Sequence, residues 1–545
     1  MNEYQKIADL LFPNAINIEK IKEKYPRRKL QEGCQVTRYA PSPTGFMHIG
    51  NFFQAFICYN LAKNTNGVFY VRFEDTDNKR EIKEAKEVIY QILEEFSILP
   101  DEYQSLDGED HGIYGPYVQS QRLDIYKAFA KKLVAEGKAF PCFCKKTEGK
   151  EDVLKLRETK FEQDDEKEYD PCRNLSFEEI KKHIDNNEPF AIRLKTKNDG
   201  SQRIKFYDLI KGEIEAKANS KDFVLLKNDG VPPYAFAHAI DDTLMGTTIV
   251  VRGEEYISST PMHIELFEAL GFSPICYCHN PLIWKIGESG NKRKISKRND
   301  PEADMRFYLR EGYPKESVLE YLLNLINSGF EIWRKENPDV NWSDYKFGIK
   351  DITTIAPVFD IVKLNDIAKN IIAKEKGEQL YLNWVDWAKE YDIALANTLI
   401  QNKEKFIKLC KMERDECVKP RKDIYNLKMM KEYFSYAFEK PKKFEAEDKM
   451  IFTDFIKEYL NEFVMPNSNQ EWFDKIKEIA SYNGFAVDNK LYKQNPEQFK
   501  GNIAKACEYA RIAITGQKSG PSLFYIIDAL GEKETIERLK SAIEI

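Results

Sequence analysis

The chain has 545 residues, of which 42% are hydrophobic and 32% are charged, and its formal net charge is −6 at pH 7. This length predicts several domains with apolar cores of ordinary size, and the negative balance excludes a protein that is basic throughout. No run approaches the ~18 consecutive apolar residues of a membrane span, the N-terminus lacks the pattern of a secretion signal, and ten cysteines are too few for a disulfide framework in so long a chain. We therefore expect a cytoplasmic protein without a membrane segment.

The N-terminal part of the chain predicts a parallel βαβ unit. Residues 1–35 are expected to be a charged, mostly helical extension, and "CQVTRYA" predicts a strand that ends at Pro41. A helix that stops near Gly67 follows, then the alternating strand "VFYVRFE", then a second helix with Asp77 as its expected N-cap. This alternation is typical of a parallel sheet, so 36–113 is predicted to be the first half of an α/β domain.

The βα pattern is then interrupted and resumes. Short strands and a nearly all-polar stretch predict an α+β insertion over 114–238. The α/β pattern returns over 239–290, where Thr260 and Pro261 open a helix that Gly271 ends. The domain is therefore predicted to be split by the insertion.

The remainder of the chain contains a basic loop and then a helical half. We assign 291–395 to a region that begins with the loop "KISKR" and 396–545 to all-α domains, because strand signals there are few. Residues 403–443 contain thirteen Lys and Arg against seven Asp and Glu. Such a stretch is typical of either a solvated helix face or a surface that binds nucleic-acid phosphates.

The loop "RYAPSPTGFMHIGNF", which follows the first strand, is the first candidate site. It lies at the carboxyl edge of the predicted sheet, where open α/β sheets bind ligands, and the N-terminus of the next helix suits a phosphate. Gly45 and Gly50 allow a ligand to approach the backbone, and His48 can donate a hydrogen bond to an anion. The alternative for this stretch alone is a Pro-Gly turn with a packed histidine.

The second candidate is "KRKISKR", with Lys294 and Lys297 on a loop flanked by glycine. Two lysines on a mobile loop can follow nucleotide phosphates as charge develops in a transition state. A basic surface loop is the alternative in isolation.

Taken together, the motifs resemble those of class I aminoacyl-tRNA synthetases. "HIGN" is similar to the HIGH signature and "KISKR" to the KMSKS loop. The segments "RYAPSPTGFMHIGN", "RFEDTD" (72–77) and "VVRGEEYISSTP" (250–261) resemble the glutamyl and glutaminyl branch, and 511–543 resembles the end of bacterial glutamyl-tRNA synthetases. The resemblance covers the chain from about Val36 to its end and favours the glutamyl-tRNA synthetase family.

The resemblance implies a fold and a reaction. The fold is a Rossmann-like catalytic domain, split by an α+β insertion that binds the tRNA acceptor end and followed by all-α anticodon-binding domains. The reaction activates glutamate with ATP, accompanied by Mg²⁺, to glutamyl-adenylate, and transfers the glutamyl group to the 2′-OH of the terminal adenosine of tRNA-Glu in protein biosynthesis. The expected partners are therefore ATP, glutamate and tRNA-Glu, and a monomer is expected.

The resemblance also implies roles for individual residues. Catalysis is assigned to His48, Gly50, Lys294 and Lys297. ATP binding is assigned to Thr44, Gly45, His48, Gly50, Asn51, Lys294, Ser296 and Lys297. Glutamate binding is assigned to Arg38, Ser42, Glu74, Tyr234, His238 and Arg252, with the two arginines on the side-chain carboxylate and Glu74 on the α-ammonium group. Binding of the tRNA end is assigned to Thr76 and Asp77.

Two features depart from the bacterial pattern. His238 stands where bacterial glutamyl enzymes often carry asparagine, which is closer to the glutaminyl or archaeal glutamyl pattern. Some bacterial members bind zinc in the insertion, and the candidate ligands in this chain are Cys142, Cys144, Tyr169 and Cys172. The spacing between Tyr169 and Cys172 is one residue shorter than in those bacterial members. The cysteines of "CYCHN" (276–280) are instead expected to pack in a strand.

Three alternative families share some of these features. A tRNA-modifying glutamyl transferase would end soon after "KISKR", whereas 247 residues follow Arg298. A glutaminyl-tRNA synthetase would end in β-barrels, and a non-catalytic paralogue would lose His48, Lys297 or Arg252. The sequence leaves open whether tRNA-Gln is also charged.

Overall fold

A computed structural model of the chain describes residues 2–43, 45–76, 84–144, 170–415 and 417–544. It forms two compact units, one made of residues 1–307 and 322–360 and the other of residues 308–321 and 361–545. None of the helices in the described ranges is long and apolar enough to cross a membrane.

Helices and strands are interspersed in the first part of the chain, and helices follow in the second. The helices are α1 Glu3–Leu11, α2 Ile18–Lys24, α3 Ile49–Asn64, α4 Ala85–Glu95, α5 Leu123–Ala135, α6 Phe177–Asp185, α7 Tyr234–Leu244, α8 Thr260–Leu270, α9 Met305–Glu311, α10 Lys315–Ile326, α11 Gly329–Glu336, α12 Ile361–Ile372, α13 Gly377–Tyr391, α14 Ile393–Gln401, α15 Lys403–Lys411, α16 Met430–Tyr433, α17 Ser435–Phe438, α18 Lys449–Asn461, α19 Asn469–Tyr482, α20 Asn489–Gln494, α21 Ile503–Thr515, α22 Leu523–Leu530 and α23 Glu532–Ile543. The strands are β1 Val36–Tyr39, β2 Val68–Val71, β3 Tyr103–Gln104, β4 Asp110–His111, β5 Ala139–Cys142, β6 Ala191–Leu194, β7 Arg203–Asp208, β8 Gly212–Lys217, β9 Val224–Leu226, β10 Ile249–Gly253, β11 Cys276–Asn280, β12 Trp284–Ile286 and β13 Lys292–Lys294. Short 3-10 helices lie at Gln119–Arg122, Pro171–Asn174, Glu254–Ser259, Pro301–Ala303, Trp342–Asp344, Ile349–Asp351 and Pro496–Gln498.

The first unit contains a two-stranded sheet, β1–β2, next to a four-stranded sheet in the order β10–β11–β7–β8. β1 pairs in parallel with β2, and β10 pairs in parallel with β11. β1 lies beside β10, since the Thr248 N–H donates to the Val36 carbonyl over 2.9 Å. This arrangement confirms the predicted βαβ unit, and it brings the carboxyl ends of β1 and β10 to one edge of the sheet.

The sheet also receives strands from the middle of the predicted insertion. β7 pairs in parallel with β11 at Asp208 and Tyr277, and β8 pairs antiparallel with β7. Elsewhere in 114–238, β5, β6 and β9 form a separate antiparallel sheet. Residues of this range therefore contribute both to a sheet of their own and to the main sheet.

The N-terminal extension packs on the first unit. α1 and α2 begin with asparagine caps, Asn2 and Asn17, whose side chains accept backbone N–H groups. Arg28 forms a two-pronged ion pair with Glu102 at 2.8 and 2.6 Å and donates to the Met245 carbonyl over 2.7 Å. These contacts give residues 1–35 a structural role in this unit.

The predicted helix boundaries hold where the capping chemistry is local. α8 begins at Thr260 with Pro261 in its first turn, and Gly271 ends it in the left-handed conformation, as predicted. The helix expected from Asp77 begins at Ala85 in the described residues. Asp77 itself lies outside them.

The second unit is helical, as predicted. The regular elements in residues 361–415 and 417–544 are all helices, and their apolar faces form one core. Trp384 is fully buried there, with its ring centre 5.7 Å from that of Phe406 and 6.0 Å from that of Phe434. The aromatic packing accounts for the apolar stripes in this half of the sequence.

We expect Gly67→Ala to destabilise the first unit. A Cβ at Gly67 would lie 1.8 Å from the Gln35 carbonyl oxygen, so the turn before β2 would have to move away from the start of β1. Overpacking of this kind costs about 1–3 kcal/mol. Thermal unfolding should show a transition several degrees lower than in the parent protein.

Gly348→Ala is the matched control for this substitution. Its Cβ would meet nothing closer than the Asp351 carboxylate at 3.7 Å, so the unfolding temperature should be unchanged. Equal stability of the two variants would contradict the close approach at Gly67.

Candidate active site

A cavity of about 260 Å³ opens at the carboxyl ends of β1 and β10. The structure brings nine of the predicted site residues to its walls, namely Arg38, Ser42, His48, Gly50, Asn51, Glu74, Tyr234, Arg252 and Lys294. Gly45, Ser296 and Lys297 lie in the two loops at this cavity. Thr44, Asp77 and Tyr169 lie outside the described residues.

His48 is the N-cap of α3. Its Nδ1 accepts the Gly50 N–H over 3.0 Å, which leaves Nε2 to carry the proton of the neutral ring. Burial, reinforced by the charges of Lys297 and Lys294, lowers the pKa of His48 to about 4. The imidazole is therefore neutral at pH 7 and carries its proton on Nε2, at the positive end of the α3 dipole.

The two loops that carry the predicted nucleotide motifs lie against each other. The Lys297 Nζ donates to the Phe46 carbonyl. His48 forms a bridge with Asp304, and the Met305 N–H donates to the Met47 carbonyl over 3.1 Å. Residues far apart in the sequence thus form one positively charged surface next to the helix N-terminus.

Asp300 holds the second loop in shape. Arg293 donates to both of its carboxylate oxygens, over 2.6 and 2.7 Å, and the Ser296 N–H donates over 2.9 Å. The Lys285 Nζ lies 3.1 Å away. The hydrogen bonds from Arg293 hold the pKa of Asp300 well below its usual value, so the loop is built around a permanent negative charge.

Two buried guanidinium groups face the cavity. Arg38 donates from Nε to Asp242 over 3.0 Å, and Arg252 donates from Nε to the His279 Nε2 and from Nη2 to the Thr260 hydroxyl, both over 2.9 Å. Each residue is 2% exposed. The Arg252 Nη1 is buried and has no hydrogen-bond partner among the residues that the structure describes. Such a pair suits a carboxylate ligand.

Glu74 is one of two carboxylates in the wall, the other being Glu255. Its carboxylate accepts from the Arg72 Nη2 over 3.1 Å, and its backbone carbonyl accepts from the Ser42 hydroxyl over 3.1 Å. Burial raises the pKa of Glu74 to about 7, against the lowering effect of Arg72 and Arg38. The site therefore offers a carboxylate that titrates near neutral pH.

His238 is not brought to the cavity wall. It is fully buried beneath Tyr234, whose ring stacks on it with centres 5.3 Å apart. Its Nδ1 lies 2.6 Å from Asp242, and its Nε2 lies 3.1 Å from the Tyr277 hydroxyl. Thr76 likewise does not line the cavity as the structure describes it.

Sequence reasoning missed the residues that hold the two arginines. Asp242 accepts from Arg38, Arg72 and His238, and no local motif marks it. His279 stands opposite Arg252 in the pairing of β10 with β11, inside "CYCHN". The expected strand packing of that segment is confirmed, since Cys278 is buried, but only the sheet register shows that its histidine meets an arginine.

A second cluster of reactive side chains lies in the range 114–238, which the sequence predicts to be an insertion. One ligand atom from each of Cys142, Cys144, Asp170 and Cys172 lies within 4.8 Å of all the others. The Sγ atoms of Cys144 and Cys172 are 3.7 Å apart. Asp170, which also pairs with Arg193 at 3.1 Å, was not predicted.

Comparison with known proteins agrees with this geometry. The family described as the class I (E and Q) tRNA synthetase catalytic domain matches residues 35–336, and the anticodon binding domain family matches residues 416–543. Curated relatives named glutamate–tRNA ligase include one from Acetivibrio thermocellus, 40% identical with 99% of both chains covered. Another, from Clostridium perfringens, is 41% identical with 99% of this chain and 100% of the relative covered.

A solved structure shows the same fold. It is a glutamate tRNA ligase from Elizabethkingia meningosepticum in complex with its amino acid, with a TM-score of 0.72 and 24% identity over 94% of this chain and 99% of that one. The Rossmann-like fold class predicted from the sequence is thereby confirmed. On the length and identity of these matches, the chain belongs to the glutamate–tRNA ligase family of class I tRNA synthetases.

Proposed function

We propose that this protein is the ATP-dependent ligase that joins glutamate to tRNA-Glu. The observation that carries the proposal is the pair of buried arginines, Arg38 and Arg252, at one cavity with a carboxylate, Glu74, and the nucleotide loops. The two guanidinium groups suit the side-chain carboxylate of glutamate, and the Glu74 carboxylate suits its α-ammonium group. The names of the relatives support the same reaction.

The first half-reaction follows from these charges. Arg38 and Arg252 bind the side-chain carboxylate of glutamate, and Glu74 in its ionised form binds the α-ammonium group. The α-carboxylate then attacks the α-phosphorus of ATP. A carboxyl–phosphate bond forms, the α–β phosphoanhydride bond breaks, and diphosphate leaves with its electron pair.

The nucleotide is held by the two loops. Gly45, Gly50 and Asn51 lie at the positive end of the α3 dipole, which favours a phosphate, and His48 donates to it through Nε2. The lysines of the second loop, with Ser296 between them, neutralise charge as diphosphate departs, so catalysis rests on positioning and electrostatics. Mg²⁺ would accompany the ATP and share that charge.

The second half-reaction uses the tRNA. The 2′-OH of the terminal adenosine attacks the carbonyl carbon of glutamyl-adenylate, and AMP leaves. We place Thr76 and Asp77 near the end of the tRNA, and we propose that the predicted insertion binds the acceptor end. The helical half is proposed to bind the anticodon stem, where the lysines of 403–443 contact phosphates. The enzyme is proposed to work as a monomer in the cytoplasm.

We expect the purified protein to charge glutamate, and not glutamine, onto tRNA-Glu. A carboxamide presents an N–H₂ group to a guanidinium that has only donors, so it leaves buried charge unpaired. The measurement is aminoacylation with radiolabelled glutamate and glutamine, each with purified tRNA-Glu and tRNA-Gln. Arg252→Gln should raise the KM for glutamate by about 100-fold or more, because it removes a buried positive charge that donates to the carboxylate.

The comparison of tRNA-Glu with tRNA-Gln in the same assay shows which tRNA is the partner. Glutamate on tRNA-Glu alone means a discriminating enzyme, and glutamate on both means that tRNA-Gln is also a partner. Transfer of glutamine without glutamate would refute the roles of Arg38 and Arg252.

Glu74 should set the pH dependence of glutamate capture. Since its pKa is raised to about 7, the carboxyl group is increasingly protonated below pH 7 and loses its charge for the ammonium group. The kcat/KM for glutamate should therefore be constant above about pH 8 and fall about tenfold per pH unit below about pH 6. Initial rates of aminoacylation from pH 5.5 to 8.5 measure this.

Glu74→Gln is the control for the pH profile. It should lower kcat/KM at pH 8 and leave little dependence on pH between 6 and 8. A profile that keeps the same slope in this variant would assign the titration to another group.

The cysteine cluster is proposed to hold one Zn²⁺ ion. Three thiolates and one carboxylate form a tetrahedral donor set, and tetrahedral Zn–S bonds of ~2.3 Å place two sulfurs ~3.8 Å apart. The 3.7 Å between Cys144 and Cys172 fits this spacing. The ion would tie β5 to the segment around Cys172. Tyr169, the fourth ligand expected from the sequence, lies outside the described residues, and Asp170 takes that place in the cluster.

We expect about one zinc per chain by elemental analysis, and none in Cys144→Ala. Loss of the ion should lower the unfolding temperature, because metal binding contributes folding free energy. Cys276→Ala, at an exposed cysteine outside the cluster, is the control and should keep the metal. Equal zinc content in both variants would exclude the cluster.

A further inference from the structure

Arg252, His279 and Asp208 form a buried hydrogen-bonded relay of three side chains, with Arg252 at one end. The Arg252 Nε donates to the His279 Nε2 over 2.9 Å, and the His279 Nδ1 lies 2.7 Å from the Asp208 carboxylate. Histidine and aspartate are both fully buried. The three residues come from β10, β11 and β7, which are neighbours in the sheet.

The hydrogen bonds of this relay determine the tautomer of His279. A guanidinium group only donates, so the Nε2 of His279 must be an acceptor without a proton. The proton of the neutral ring is then on Nδ1, where it is donated to Asp208. One arrangement of protons satisfies all three groups, and it orients the Arg252 side chain from behind.

Asp208 is anchored by the turn between β7 and β8. Its other carboxylate oxygen accepts the N–H groups of Ile210 and Lys211 over 2.9 and 2.8 Å, and the oxygen that meets the imidazole also accepts the His279 N–H over 3.0 Å. Four donors hold this carboxylate, so it stays ionised and cannot rotate away. Its negative charge offsets the buried charge of Arg252 through the neutral ring.

The contacts of Arg252 leave one nitrogen for a ligand. Nε is held by His279, Nη2 by the Thr260 hydroxyl, and the guanidinium carbon lies 4.3 Å from the centre of the Tyr277 ring. Nη1 is buried without a hydrogen-bond partner in the described residues, and Arg252 is part of the cavity wall. The relay therefore presents a preformed donor to the cavity.

We propose that His279 and Asp208 are positioning residues that fix the Arg252 guanidinium for the side-chain carboxylate of the amino-acid substrate. This inference rests on the proposed function. A fixed guanidinium binds a carboxylate without first losing side-chain freedom, and it cannot turn to accommodate a carboxamide. The relay thus sets both the affinity for glutamate and the discrimination against glutamine.

Two substitutions of His279 separate this role from simple packing. In His279→Asn the side-chain amide replaces Nδ1, so it still donates to Asp208 but leaves the Arg252 Nε without an acceptor. In His279→Gln the amide oxygen replaces Nε2, so it still accepts from Arg252 but loses the donation to Asp208. A packing role predicts that the longer side chain and the shorter one are both harmful to folding, without selectivity for the substrate.

We expect His279→Asn to raise the KM for glutamate in aminoacylation about 10- to 100-fold with kcat changed less than threefold, and to narrow the preference for glutamate over glutamine. His279→Gln should stay within about threefold of the parent in KM. Lys205→Ala, on the exposed side of β7, should match the parent in every constant. Equal KM values for the parent and His279→Asn would overturn the proposal.

The outcomes distinguish the inference from the function on which it rests. If the parent protein does not charge glutamate at all, the proposed function fails. If it does, and both His279 variants behave alike, only the relay fails. Should the variants not fold, ¹⁵N NMR of histidine-labelled parent protein provides the test, since a buried His279 with its proton on Nδ1 supports the relay and one with its proton on Nε2 refutes it.

Discussion

The fold of the first unit depends on two adjacent buried carboxylates, Asp241 and Asp242 on α7. Asp242 accepts from Arg38 of β1 over 3.0 Å and from Arg72, which follows β2, over 2.6 Å, and Asp241 accepts from Arg122 before α5 over 2.7 Å. Removing one partner of such a pair leaves an unpaired charge in the interior, which lowers the free energy of unfolding by about 3–5 kcal/mol. The pairs therefore require β1, β2, α5 and α7 to fold in one relative arrangement.

In the proposed function, the same ion pairs make the cavity selective for a carboxylate. Arg38 and Arg252 each have a carboxylate behind them, Asp242 directly and Asp208 through His279. A guanidinium held in this way needs no reorganisation when a carboxylate arrives, which is the condition under which electrostatic binding is strongest. Burial serves function in this cavity, because the low-dielectric surroundings that make unpaired charge costly also penalise a neutral substrate side chain.

The sequence predicts what is local and misses what depends on the order of strands. The helix from Thr260 to Gly271 could be predicted because a proline and a glycine each act within one turn. The pairing of Arg252 with His279 could not, since it exists only once β10 and β11 are neighbours in register. The basic loop was found by its lysines, yet Asp300, the carboxylate that shapes it, has no motif of its own.

The position of Asp208 shows why the predicted insertion cannot fold as an independent module. It lies within the 114–238 range, in which β5, β6 and β9 form a sheet of their own, yet β7 returns to pair with β11 and supplies the carboxylate behind His279. An insertion that contributes a strand to the sheet it interrupts must fold together with that sheet. In the proposed function, formation of the substrate site is therefore coupled to the folding of residues 114–238, because Arg252 is held for a carboxylate only once β7 has reached its native register.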